Sequence, residues 1–123
     1  MNDKDKKIAI VACSGASNTG QTTNEVARHL CDKSDEFTMI CLAALTLNHK
    51  ISLDKVADAR KIVVIDGCPV KCASQILSKY TDKKPDIDIQ VMEDYGIKKI
   101  SKPEFDEDNV RKISDDILNK CLK

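Results

Sequence analysis

Residues 62–73 read IVVIDGCPVKCA. Ile62, Val63, Val64 and Ile65 form an unbroken apolar run with no polar alternation, which is the pattern of a strand covered on both faces. Asp66 can accept backbone N–H bonds and Gly67 can take the tight turn that follows. Pro69 suits a first helical position, where its missing N–H would have had no partner. Beyond it, Cys72, Ala73, Ile76, Leu77 and Tyr80 recur at helical spacing. The stretch predicts strand, turn and helix in succession, the unit from which parallel sheets are built.

The same alternation extends in both directions. After a charged lead, Met1 to Lys6, residues 8–12 (IAIVA) make a first strand, and Ser14 to Gly20 a small polar loop. Val26 with Leu30, and Ala27 with Cys31, lie a turn apart and predict a helix over 21–33. Phe37 to Leu42 reads as a second strand, and 52–59 as a short helix with Leu53, Val56 and Ala57 inward. Lys83, Lys84 and Pro85 break the helix after Pro69 ahead of a fourth strand at 87–92, whose alternation suits a sheet edge. Past a loop with Gly96 and Pro103, Asp106 can cap a last helix carrying Val110, Ile113, Ile117, Leu118 and Cys121 on one face. The expectation is one α/β domain over 1–123. It takes the form of a three-layer sandwich, Rossmann-like or flavodoxin-like, with about four parallel strands in the order 2-1-3-4 and right-handed crossovers.

With 123 residues the chain can bury a core without disulfides. Twenty basic residues against twenty acidic leave no net field to attract nucleic acid or an anionic membrane. No run approaches a transmembrane span, and the apolar stretch after Lys7 is too short for a secretory signal. The expected location is cytoplasmic, with no nucleic-acid or membrane partner. In a reducing compartment the six cysteines need an explanation other than disulfides.

Position sorts them. Cys31 and Cys121 sit on apolar helix stripes and read as core residues. Cys13, Cys41 and Cys68 each stand where an apolar run ends, so parallel strands would bring them to one sheet edge, with neighbouring strands about 4.8 Å apart. Ligands of such sheets bind at that edge, near the point where strand order reverses. Cys72 lies four residues past Cys68, and across a helix start that spacing projects to one side. The helix start also favours thiolate over thiol. Each strand-end thiol taken alone could be a small buried group; together with Cys72 they form a candidate four-thiolate metal site. Zinc held tetrahedrally by four sulfurs at about 2.3 Å needs them about 3.8 Å apart, and would call for N–H groups from Ser14 to Gly20 and Lys71 nearby.

Two other motifs come close. Residues 15–22 follow a phosphate-loop pattern, but Gln21 stands where the lysine belongs, which removes the charge that neutralises terminal phosphates. A cysteine-phosphatase loop would need arginine where Thr19 is. Nucleotide binding is therefore not expected. Asp66 reads best as a structural acceptor. His49 is a loop residue within conceivable reach of the site, and His29 a helix-surface residue.

The stretches CSGASN (13–18), CLA (41–43) and above all DGCPVKCA (66–73) resemble the DGC domain family, and the similarity runs over nearly the whole chain. The resemblance implies zinc binding, with chelating cysteines falling on Cys13, Cys41, Cys68 and Cys72; Cys31 and Cys121 have no counterpart. It implies no catalytic residue. A metal store, sensor or transfer protein is the first reading. A thiol redox or sulfur-handling enzyme is the second, with Cys68 as nucleophile and Cys13 or Cys72 resolving it, an iron–sulfur centre being a variant on the same ligands.

Overall fold

A computed structural model describes residues 6–122, so most of the charged lead lies outside the described residues. Four parallel strands, β1 (Ile8–Ala12), β2 (Phe37–Met39), β3 (Lys61–Asp66) and β4 (Ile87–Gln90), form one sheet in the order β2-β1-β3-β4. β1 and β3 are its centre and pair from Ile8↔Lys61 to Ala12↔Ile65. The continuous apolar runs are explained by cover on both faces. Ile8, Ile10, Val63 and Ile65 pack with α1 (Asn18–Lys33) and α6 (Glu107–Leu122), while Ala9, Val11, Ile62 and Val64 pack with α2 (Leu42–Thr46), α3 (Lys50–Asp58) and α4 (Cys72–Tyr80). A short α5 (Val91–Tyr95) completes the chain of elements. Ile113 and Ile117 of α6 are fully buried, each contributing about 1.5–3 kcal/mol of apolar burial. Among the described residues no helix is long and apolar enough to cross a membrane.

Several boundaries differ from the sequence reading. α1 begins at Asn18 and not Gln21, because Ser17 caps it by accepting the Gly20 N–H at 3.3 Å. β2 stops at Met39, and residues 42–46 coil into α2, a helix too short to display a period. β4 ends at Gln90 in place of Met92; the Asp94 carboxylate accepts the Gln90 N–H at 2.8 Å and starts α5 there. Asp106 does cap α6, accepting from Asp108 and Asn109.

Glycine is required where α1 meets the sheet. A Cβ on Gly20 would lie 2.5 Å from Gly15 backbone atoms, and one on Gly67 would lie 2.8 Å from the Thr19 carbonyl carbon. The glycine loop, the first turn of α1 and the exit of β3 are thus packed backbone against backbone.

α4 starts at Cys72, three residues later than Pro69 suggested. Pro69 and Val70 form a turn closed by the Lys71 N–H donating to the Cys68 carbonyl at 3.1 Å. Lys71 sits at the cap position in the left-handed region, φ 53°, and its side chain offers no capping bond. Asp66 supplies the cap from the end of β3. Its buried carboxylate accepts the Ala73 N–H at 2.7 Å and the Ser74 N–H at 3.1 Å, the structural role expected for it. Burial pushes the Asp66 carboxyl above the usual carboxylate range; the Ala73 and Ser74 donors pull it back in part, and Asp88 adds to the rise.

Gly20→Ala should destabilise the protein by about 2 kcal/mol, although the same exchange inside an ordinary helix stabilises by about 1 kcal/mol, a sign that urea unfolding reads directly. For Asp66, a folded-state pKa above the unfolded one contributes stability that is complete below the unfolded value and is lost as pH rises through the folded one. Wild-type stability relative to Asp66→Asn, which cannot titrate, should therefore decline as pH is raised from the ordinary aspartate range of about 4. A relative stability that climbs over that range contradicts the assignment.

Candidate functional site

Cys13, Cys68 and Cys72 line one cavity of about 420 Å³ at the carboxyl ends of β1 and β3. Cys13 continues β1, donating its N–H to the Ile65 carbonyl at 3.1 Å, and packs in the phase of Ala9 and Val11 toward the α4 side. Its Sγ lies 3.5 Å from Thr23 Oγ1, which donates to the Gly20 carbonyl at 2.7 Å and accepts the Ser14 N–H at 3.0 Å. Cys68 is half-buried and follows Gly67, whose bare Cα lets the exit of β3 close on α1. Cys72 is the first residue of α4 and is exposed.

Cys41 is placed differently. The register of β1 with β2 runs Ile8↔Phe37 to Ile10↔Met39, and its continuation sets Cys41 level with Ala12. Pleat alternation gives Cys41 the phase of Phe37 and Met39, which pack on the α1 and α6 side, whereas Ile40 joins Val11 and Cys13 on the other. Cys41 is exposed, caps α2 without a side-chain bond, and does not line the cavity. The sheet edge brings three of the four predicted cysteines together and leaves the fourth beside them. Among the described residues, no three His, Cys, Asp or Glu side chains form a group ready to hold a metal ion as they stand. The donor set suits zinc, being sulfur throughout, but the thiols would have to close together to hold an ion.

The electrostatics differ from the reading that a helix start would favour thiolate. Desolvation, then the negative charge of Cys13, Asp66 and Cys68, pushes the Cys72 thiol up. The physical reason is visible at α4: Asp66 already takes the Ala73 and Ser74 N–H groups that a thiolate would have used. The glycine loop is similarly engaged, with the N–H groups of Ser14, Asn18 and Gly20 donating to Thr23, Ile100 and Ser17. Gln21, at the lysine position of the phosphate-loop pattern, donates its amide to the Gly15 carbonyl at 2.9 Å and closes that loop on itself.

Lys71, expected near the site, reaches Asp88 at 3.8 Å. The cation that lines the cavity is Lys99, with Ser101, from the segment between α5 and α6. Asn18 fixes that segment: its amide donates to the Lys98 carbonyl at 2.8 Å, and its carbonyl oxygen accepts the Ile100 N–H at 2.7 Å. The basic run KKISK (98–102) was visible in the sequence, but nothing local tied it to the glycine loop.

The other candidates lie elsewhere. Cys121 is buried in the core and Cys31 packs against it; desolvation raises both thiols. His49 is exposed and caps α3. His29 is half-buried and not simply a surface residue; its Nε2 is buried without a partner, and the ring lines a cavity of about 410 Å³ between α1 and α6.

The family model described as the DGC domain matches residues 9–117. The Anaerobic and virulence modulator AnvM of Pseudomonas aeruginosa is 30% identical over 90 residues, covering 73% of this chain and 66% of that protein, so the match spans just under two thirds of the relative. No solved structure matches. A family match that takes in β1, the glycine loop, the DGC turn and most of α6 means that this chain belongs to the DGC domain family.

Proposed function

We propose that this protein is a cytoplasmic metal-binding protein that holds zinc through cysteine thiolates at the carboxyl edge of its sheet, as a store, sensor or transfer site. The observation that carries the reading is the convergence of Cys13, Cys68 and Cys72 on one cavity. These three are the core of the ligand set, and Cys41 is the remaining candidate. Zinc supplies a dication with a preference for sulfur. Desolvation first, and then the charges of Cys13, Asp66 and Cys68, push the Cys72 thiol up, and a dication would offset the charge repulsion among these groups. Two complete cores on either face of the sheet leave little for a metal to add to folding, which favours handling of the metal over a structural role. The name of the Pseudomonas relative, a modulator, fits sensing better than storage.

The thiol redox reading has a weaker basis. Cys68 and Cys72 flank a single turn, as an attacking and a resolving thiol would. A thiol pushed up in pKa is a poor attacker near neutral pH, so Cys72 at least is ill-suited to that chemistry in the metal-free state.

Protein purified without added metal should contain about one zinc per chain by elemental analysis, with Cys68→Ser and Cys72→Ser each losing most of it. Unchanged zinc in both variants defeats the proposal, and a brown protein with iron in place of zinc changes the metal. Zinc affinity should also fall steeply on acidification, since each ligating thiolate must be reprotonated for release. Competition with a chromogenic chelator between pH 8 and pH 6, roughly the span below the free thiol pKa, measures this.

A further inference from the structure

We infer that the outer face of α4 is a docking surface for an acidic amphipathic helix of a partner protein, seated beside the cysteine cavity. Composition is the first ground. One third of the chain is charged, yet the nine residues of α4 carry a single charge, Lys79, whereas the nine of α3 carry four, Lys50, Asp54, Lys55 and Asp58. Ala73 and Leu77 are buried in the core, and the side chains that reach the surface include the uncharged Ser74, Gln75 and Ser78. Depletion of charge is the compositional mark of the centre of a protein interface.

Shape is the second ground. A groove of about 670 Å³ is lined by α4, the turn before it and Thr46 of α2. Val70 lines it while 57% exposed, and Ile76 and Tyr80, one helical turn apart, are half-buried along it. Charge is the third. Among the described residues no Asp or Glu lines the groove, while Lys71 and Lys79 do, separated by about 12 Å of helix at 1.5 Å per residue. Lys71 shares a loose surface contact with Asp88 at 3.8 Å, a pair worth little. Lys79 lies 5.6 Å from the centre of the Tyr80 ring and pairs with no carboxylate among the described residues. The chain as a whole is neutral, so this positive groove is a local feature. An amphipathic helix laid in a groove presents apolar anchors a turn apart. Carboxylates flanking such anchors meet Lys71 at one end and Lys79 at the other. Val70 lines the cysteine cavity as well as the groove, and Cys72 is exposed next to Lys71, so a docked helix shades that thiol with or without a metal.

NMR titration of isotope-labelled protein tests the surface. The probe is a synthetic peptide of about twelve residues, enough for three helical turns, with leucines at helical spacing among glutamates. Its control carries lysines in place of the glutamates. The acidic peptide should shift the amides of residues 70–80 and slow alkylation of Cys72 by iodoacetamide; the basic one should do neither. Lys79→Glu, at an exposed position, should weaken the acidic peptide about fivefold, the upper scale of an exposed ion pair, and Val70→Ser by a similar factor. Lys112→Glu on α6 makes the same change of net charge at another exposed position and should leave binding unchanged. Equal binding of the two peptides, shifts centred away from α4, no shift at all, or an equal loss in Lys112→Glu each overturns the inference. So does a single-stranded DNA oligonucleotide that shifts these amides as strongly as the acidic peptide. Zinc content is untouched by any of these outcomes, so the metal proposal stands or falls separately.

Discussion

The carboxylate of Asp66, bonded to the first free N–H groups of α4, is the contact on which the functional edge depends. It ends β3, starts α4 in place of the poorly suited Lys71, and so fixes Cys72 one residue inside the helix, opposite Cys13 and Cys68. The same bonds set the chemistry. A helix start normally lowers a neighbouring thiol by offering N–H groups to its anion. Here those donors are taken by a carboxylate, itself raised by burial, and the thiol beside them is raised as well.

Backbone contact between glycines is the second constraint. Gly15 against Gly20, and Gly67 against Thr19, draw the loop after β1 onto the turn after β3 with no side chain between them. This explains a glycine in the first turn of α1, where helix propensity opposes it. It also explains why a loop with phosphate-loop spacing is not one: Ser17 starts the helix early, Gln21 fills the loop interior, and the N–H groups of Ser14, Asn18 and Gly20 are already bonded.

The strands were legible because burial on both faces leaves an unambiguous apolar run, and their order followed from the alternation with helices. Asp66 and Asp106 were legible as acceptors, since their chemistry at an element boundary is local. The start of α4 was not: Pro69 is compatible with a helix start and with a turn, and only the distant bond from Asp66 decides between them. Helix α2 escaped notice because five residues hold little more than one turn. Lys99 was missed for a related reason, since its place at the cavity depends on Asn18, which lies eighty residues or more from the backbone groups it holds.

The cysteines show how far a strand-end argument reaches. Adjacent parallel strands guarantee that Cys13 and Cys41 arrive at the same edge, but the pleat decides to which side each side chain turns, and a difference of one residue in register reverses it. Ala12 is level with position 41, so Cys13 and Cys41 are one step out of phase, and Ile40 takes the place on the α4 side. Cys68 and Cys72 escape this rule because they lie beyond the sheet, on a turn that can aim either way. The edge thus gathers three of the thiols, and the distant Lys99, around one open cavity, while the fourth thiol stays outside it.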